Sequence, residues 1–138
     1  MPACNYSLLR YLPYPETGEF VNVGVVVSCL QPCLFHFVME EKMPARLKAL
    51  FPDQNEPAFE AAAEAMRKEM ERVKAMIRDP KSCQFSFNEA VRPRESTLRF
   101  SDTRTILTAD AENLAEELFK RYVRMEARAQ REPQLVVT

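Results

Sequence analysis

Glycine is scarce in this chain of 138 residues: there are two, Gly18 and Gly24. A Walker motif or a dinucleotide fingerprint needs several glycines in one loop, so neither phosphate-binding motif is present. The single histidine, His36, has no evident serine or cysteine partner in a nucleophile turn. These shortages exclude the usual kinase, NTPase and histidine-dependent hydrolase sites. We therefore expect a binding protein that is not an enzyme and needs no cofactor.

Charge of one sign is not in excess either, since 19 basic residues face 20 acidic ones and the formal net charge is −1. Nucleic-acid binding through counterion release has no support from this balance, and no nucleic-acid partner is expected. The start, Met1–Asn5, lacks the charged and apolar regions of a signal peptide. The near-apolar run Val23–Leu30 is far shorter than the ~20 residues of a membrane helix. We expect a cytoplasmic protein with no membrane contact.

The four cysteines, Cys4, Cys29, Cys33 and Cys83, show no C-x-x-C spacing. In a reducing cytosol the simplest interpretation is four free thiols used as small apolar residues. Cys29, Cys33 and His36 are close in sequence, which is a weak zinc signal. A tight turn at Gln31–Pro32 would place Cys33 on the opposite face of the sheet from the other two, so no metal site is expected.

The pattern of strands predicts an antiparallel sheet. Valine-rich or alternating runs bounded by Pro, Gly and Asn predict a three-stranded meander. Strict alternation predicts one more strand, and one or two short strands follow. The predicted strands are Tyr6–Leu12, Phe20–Leu30, Cys33–Met39, Cys83–Asn88 and short segments within Leu98–Leu107.

The helical pattern is clearest after residue 55, where apolar residues recur at three- and four-residue intervals. The predicted helices are Pro44–Phe51, a long one through Phe59–Ile77, and a last one from about Asp110, capped by Asp110 or Thr108, to about Arg131. We expect Met66 and Met70 to lie in the core. Together the elements predict a single α+β domain spanning residues 1–138, with a mainly antiparallel sheet that starts with the meander and helices packed on one face.

The first hairpin holds the candidate site. A turn centred between Pro15 and Glu16 places Arg10 opposite Asn22 and Leu8 opposite Gly24, with Glu19 nearby. A guanidinium facing a carboxamide can bind a carboxylate, a phosphate or an exposed peptide segment. In the structural alternative, Arg10 pairs with Glu19 or Glu16, Asn22 satisfies a turn carbonyl, and Gly24 allows close packing. The candidate binding residues are Arg10, Glu19, Asn22 and Gly24.

The same hairpin resembles a known family. The runs Tyr6–Pro13 and Gly18–Val26 resemble the YSLLRYxP and GEFVNVGVV signature of small bacterial proteins classed as a domain of unknown function, and Arg46–Pro52 and Ser101–Arg104 resemble it more weakly. Members are often encoded beside a kinase resembling HipA, the toxin kinase of bacterial toxin–antitoxin pairs. The resemblance implies a partner or modulator of a HipA-like kinase. It assigns no role to individual residues.

Other functions stay open at this stage. A small enzyme or an anion-ligand-binding protein would use Arg10, Glu19 and Asn22 as an anion-binding and acid–base group. Glu40 and Glu41 would join such a group or form a solvated edge. A protein partner or a second copy of the chain could cover an apolar face of the sheet, and Leu135–Thr138 could add a strand to a sheet edge. A nucleic-acid module would need one continuous basic face formed by Arg92, Arg94, Arg99, Arg104, Arg121, Arg124, Arg128 and Arg131.

Overall fold

A five-stranded antiparallel sheet is the centre of the computed structural model, which describes residues 1–94 and 96–125. The strands are β1 (Ala3–Tyr11), β2 (Val21–Leu30), β3 (Cys33–Met39), β4 (Leu98–Phe100) and β5 (Arg104–Leu107). Strand β2 pairs with β3 and β1, and the far side of β1 pairs with β5 near its start and β4 near its end. The predicted meander and the α+β class are confirmed.

The β1–β2 pairing contains a β-bulge. Arg10 pairs with Asn22 as predicted, but the register then shifts, so that Leu9 pairs with Gly24 and Leu8 with Val25. Because neighbouring residues of a strand point to opposite faces, Gly24 shares the face of Leu9 and not the face of Arg10. The predicted pairing of Leu8 with Gly24 is wrong, since a constant register cannot anticipate the extra residue.

Four helices occur among the described residues: α1 (Ala45–Leu50), α2 (Glu56–Ala75), α3 (Pro80–Ala90) and α4 (Leu114–Tyr122). Helices α1 and α2 confirm the predicted short and long helices, and Met66 and Met70 are buried as expected. Helix α4 starts later than predicted, and no side chain caps it. Thr108 and Asp110 instead stabilise the preceding turn. The Thr108 hydroxyl accepts a hydrogen bond from the Asp110 backbone N–H, and the Asp110 carboxylate accepts one from the Asn113 side chain. The predicted end near Arg131 lies outside the described residues.

Helix α3 replaces the predicted strand Cys83–Asn88. The Asp79 side chain accepts a hydrogen bond from the Ser82 backbone N–H, and Ser82 Oγ accepts one from Asp79 N–H. This capping box, followed by Pro80 in the first turn, starts a helix. Phe85, which strict alternation would bury beside Phe87, is 61% exposed. The prediction of a strand is therefore wrong, because the local cap overrides the alternation.

Helices cover both faces of the sheet. Buried residues of α1, α2 and α3 pack with Leu9, Tyr11 and Val23 on one face. Buried residues of α4 pack with Leu8, Val25 and other residues of the opposite face. The expectation of helices on one face holds for the first three helices and is wrong for α4. The reason is that the opposite face is also apolar and must be shielded from water.

Two of the four cysteines form a disulfide. The strand pairing places Cys4 opposite Cys29, and the two sulfur atoms are bonded. Both residues are buried, whereas Cys33 is free and exposed and Cys83 is free and buried. The interpretation of four free thiols is wrong for the first pair, because the sequence spacing does not reveal their cross-strand contact.

Within residues 1–94 and 96–125, no helix is both long enough and apolar enough to span a bilayer.

Candidate functional site

Arg10 and Asn22 are direct neighbours across β1 and β2, on the face that α4 covers. The Arg10 guanidinium carbon lies 4.1 Å from the centroid of the Phe20 ring. Arg10 is half-buried in this stack, while 42% of Phe20 is exposed. The end of the hairpin therefore presents an aromatic ring to solvent with a cation held against it, a geometry that favours a cation–π interaction.

Several polar atoms are buried without a hydrogen-bond partner where the last turn of α4 meets this hairpin. Asn22 Nδ2 donates to the backbone oxygen of Tyr122 at 3.4 Å, but Asn22 Oδ1 is unpartnered. Arg10 Nε and Arg121 Nε are unpartnered as well. A buried donor or acceptor without a partner costs about 1–3 kcal/mol. Among the residues that the structure describes, the contact between the hairpin and α4 is therefore incompletely hydrogen-bonded.

A group of charged side chains lies beside Asn22. Arg46 Nη2 donates to the Asn22 backbone oxygen at 2.5 Å. Burial lowers the pKa of the Arg46 guanidinium, an effect that the nearby Glu40 carboxylate opposes and Arg124 adds to. Glu40 is 8% exposed and accepts two hydrogen bonds from Arg124. The expectation of a solvated edge is therefore wrong for Glu40, which is shielded by this pairing, although Glu41 is exposed.

The structure brings two of the four predicted site residues together. Glu19 is exposed, and no carboxylate of the described residues forms an ion pair with Arg10. Gly24 faces the other side of the sheet, where a Cβ atom would lie 2.8 Å from Met39 Cβ and 3.2 Å from Leu9 Cβ. Its visible role is to allow close packing at the bulge. An acid–base group of Arg10, Glu19 and Asn22 is not assembled in this arrangement.

Several side chains of this region have no local signal in the sequence. Tyr122 and Arg124 reach the hairpin region from α4 and the segment after it, 84 to 100 residues away from their partners. Arg46 contacts Asn22 from a helix 24 residues away. No local pattern could have revealed these contacts.

A cavity of about 580 Å³ lies beside this region, between the end of β3 and α4. Its charged lining includes residues of both signs: Glu40, Glu41, Lys42, Glu116, Lys120 and Arg124. Arg10, Asn22 and Glu19 do not line it.

Among the residues that the structure describes, no group of three or more His, Cys, Asp or Glu side chains is arranged to hold a metal ion.

The central arginines that a nucleic-acid module would need make contacts within the fold. Arg94 lies over the Phe100 ring at 5.6 Å, and Arg99 Nε donates to the Ser96 backbone oxygen at 2.9 Å. Arg121 forms an ion pair with Glu117. Arg128, Arg131 and the segment Leu135–Thr138 lie outside the described residues.

Fold and site together define an α+β protein with an open antiparallel sheet and an arginine–aromatic pair at the end of its first hairpin. One family model, described as a protein of unknown function (DUF3037), matches residues 6–123. The chain belongs to this family. No curated protein and no solved structure matches the chain.

Proposed function

We propose that this chain is a non-enzymatic binding or accessory protein of the bacterial cytoplasm, and that its partner binds around Arg10, Phe20 and Asn22. The observation that carries the proposal is the Phe20 ring, which is 42% exposed while it stacks on Arg10 at 4.1 Å. Aromatic residues and arginine are enriched at protein interfaces, and arginine is frequent among the residues that contribute most binding energy. An exposed aromatic–arginine pair is therefore typical of a binding surface.

The unpartnered atoms of Arg10 and Asn22 support the same proposal. Arg10 Nε and Asn22 Oδ1 are buried and have no hydrogen-bond partner among the described residues. A partner that displaced the Phe20 ring or the last turn of α4 would expose both atoms to new hydrogen bonds. Binding would then remove a penalty that the free protein carries, which favours association at this end of the hairpin.

The proposed partner is a HipA-like kinase. This part of the proposal comes from the resemblance of the Tyr6–Pro13 and Gly18–Val26 runs to a family whose members are often encoded beside such a kinase. A modulator of a kinase needs a recognition surface and no catalytic group of its own. The exposed Phe20 ring stacked on Arg10 supports the proposal because it offers such a surface.

Calorimetric titration of the purified protein with the HipA-like kinase encoded nearest to its gene tests the proposal. Phe20→Ala should weaken binding at least about tenfold, as expected for a central aromatic contact. Phe85→Ala is the matched control, because Phe85 is an equally large side chain, is 61% exposed and lies on α3. Equal affinity of the Phe20→Ala and wild-type proteins would contradict the proposed site, and absence of wild-type binding would contradict the proposed partner.

A further inference from the structure

A second arginine lies directly beside the proposed site. Strand β4 pairs with the far side of β1 and places Arg99 opposite Arg10. Because β1 lies between β2 and β4, three polar residues form one row across the sheet: Asn22, Arg10 and Arg99. Directly opposite residues of antiparallel strands point to the same face. The side chains of Arg10 and Arg99 therefore leave the sheet from directly paired positions, on the face that carries Phe20.

Within residues 1–94 and 96–125, these two charges receive little compensation from carboxylates. Among the described residues, no carboxylate forms an ion pair with Arg10 or with Arg99. Arg99 Nε donates to the Ser96 backbone oxygen at 2.9 Å, and Arg10 stacks on Phe20. Like charges directly opposite one another destabilise a sheet. A bound anion between the two positions would offset this repulsion.

We propose that Arg10 and Arg99 together bind a carboxylate in an acidic segment of a protein partner, with Phe20 contacting an apolar residue next to it. The planar guanidinium groups match the two oxygens of a carboxylate and can each donate two parallel hydrogen bonds. The inference rests on the proposed function and names the chemistry that the partner presents. It adds Arg99, which none of the sequence motifs identified as a site residue on its own.

The surroundings favour a single carboxylate over the phosphates of a nucleic acid. Glu16 and Glu19 are exposed on the same hairpin, and the chain has a formal net charge of −1. An extended polyanion would meet these carboxylates next to the arginine pair. Nucleic-acid binding through counterion release requires cations that follow several phosphates, whereas the arginine pair offers positive charge at one place.

Nuclear magnetic resonance with two matched peptides tests the inference. The probes are acetyl-Leu-Glu-Leu-amide and acetyl-Leu-Gln-Leu-amide, which differ in one charge, and the readout is the Nε–Hε signals of the arginines. The glutamate peptide should shift the signals of Arg10 and Arg99 and leave that of Arg78, an exposed arginine after α2, unchanged. Equal shifts with both peptides, or none with the glutamate peptide, would overturn the inference. Larger shifts with a single-stranded oligonucleotide at equal ionic strength would overturn it in favour of nucleic acid.

A stability measurement separates a binding role of Arg99 from a structural one. Arg99→Gln removes the opposed charge, so its Tm should equal or exceed that of the wild type while the shifts caused by the glutamate peptide are lost. Arg78→Gln is the control and should change neither readout. A lower Tm of Arg99→Gln together with unchanged peptide binding would show that Arg99 acts in folding and would overturn the inference.

The failures of this inference and of the proposed function are distinguishable. If Phe20→Ala loses the kinase and Arg99→Gln binds it as tightly as the wild type, the binding surface is correct and the carboxylate contact is wrong. If the kinase does not bind but the glutamate peptide shifts both arginine signals, the carboxylate site stands and the kinase is the wrong partner.

Discussion

Arg124 donates two hydrogen bonds to one oxygen of Glu40, from Nε at 2.9 Å and from Nη2 at 2.6 Å, across 84 residues of sequence. The pair connects the segment after α4 to the segment after β3. The Glu40 backbone N–H also donates to the Val23 oxygen at the bulge, at 2.9 Å. The ion pair thus links the end of α4 to the strand that carries Asn22.

Glu40→Gln should lower the free energy of unfolding by about 1–2 kcal/mol. The substitution removes the charge that faces Arg124 and the half-buried Arg46. The loss should stay below that of a fully buried pair, because the Arg124 side chain is 50% exposed. Urea unfolding of the variant and the wild type measures the difference. Glu41→Gln, at the exposed neighbouring position, should change stability by less than about 0.5 kcal/mol; equal effects of the two substitutions would contradict the role assigned to Glu40.

The two glycines should respond differently to substitution by alanine. At Gly24 a Cβ atom would lie 2.8 Å from Met39 Cβ and 3.1 Å from the Val38 oxygen, so Gly24→Ala should destabilise by about 1–3 kcal/mol. At Gly18 nothing lies within 4 Å of the new atom, and the cost comes only from the positive φ of 78°. That cost should be about 1 kcal/mol. Urea unfolding that ranks Gly18→Ala as the more damaging change would contradict the packing argument.

Local patterns predicted most of the sheet. Turn residues at Pro13–Gly18 and Gln31–Pro32 delimit runs that are rich in valine or alternate in polarity, and such runs favour strands. The third strand has its predicted bounds, Cys33–Met39. The apolar spacing of α2 was equally informative, because its buried residues all lie on one stripe. These features depend on neighbours within a few residues, which a sequence displays directly.

The features that the sequence did not predict are of two kinds. Some depend on two local signals that favour different structures, and others on contacts between residues far apart in the sequence. In α3, the capping box of Asp79 and Ser82 favours a helix, although the residues Cys83–Asn88 alternate in polarity as in a strand. The bulge moves Gly24 to the other face by one residue of register, which no turn residue signals. The Arg10–Arg99 pairing depends on how a distant strand docks on β1. The candidate site was therefore half predictable: the hairpin gave Arg10 and Asn22, and tertiary structure supplied the rest.

The Cys4–Cys29 disulfide should contribute about 3 kcal/mol to stability, because it closes a loop with a sequence separation of 25. Reduction should therefore lower the urea midpoint of the wild-type protein. The double variant Cys4→Ser/Cys29→Ser should show the lower midpoint with and without reductant, whereas Cys33→Ser should behave as the wild type. A wild-type midpoint that does not respond to reductant would show that the two thiols are unpaired in solution.

The cap of α3 should make stability depend on pH in the acid range. Hydrogen bonds from the Ser82 backbone N–H and, to a smaller extent, from the Ser82 side chain hold the pKa of Asp79 below its ordinary value. The folded state therefore binds fewer protons than the unfolded state at this group, so the stabilisation is complete above about pH 5 and is lost as the pH falls through the lowered pKa. Asp79→Ala should lower the Tm at about pH 7, and the difference from the wild type should shrink below about pH 4. Asp79→Asn keeps a hydrogen-bond acceptor for the Ser82 backbone N–H, so it should lower the Tm at neutral pH by less than Asp79→Ala does. A Tm difference for Asp79→Ala that stays constant from neutral to acid pH would show that the charged carboxylate does not stabilise α3.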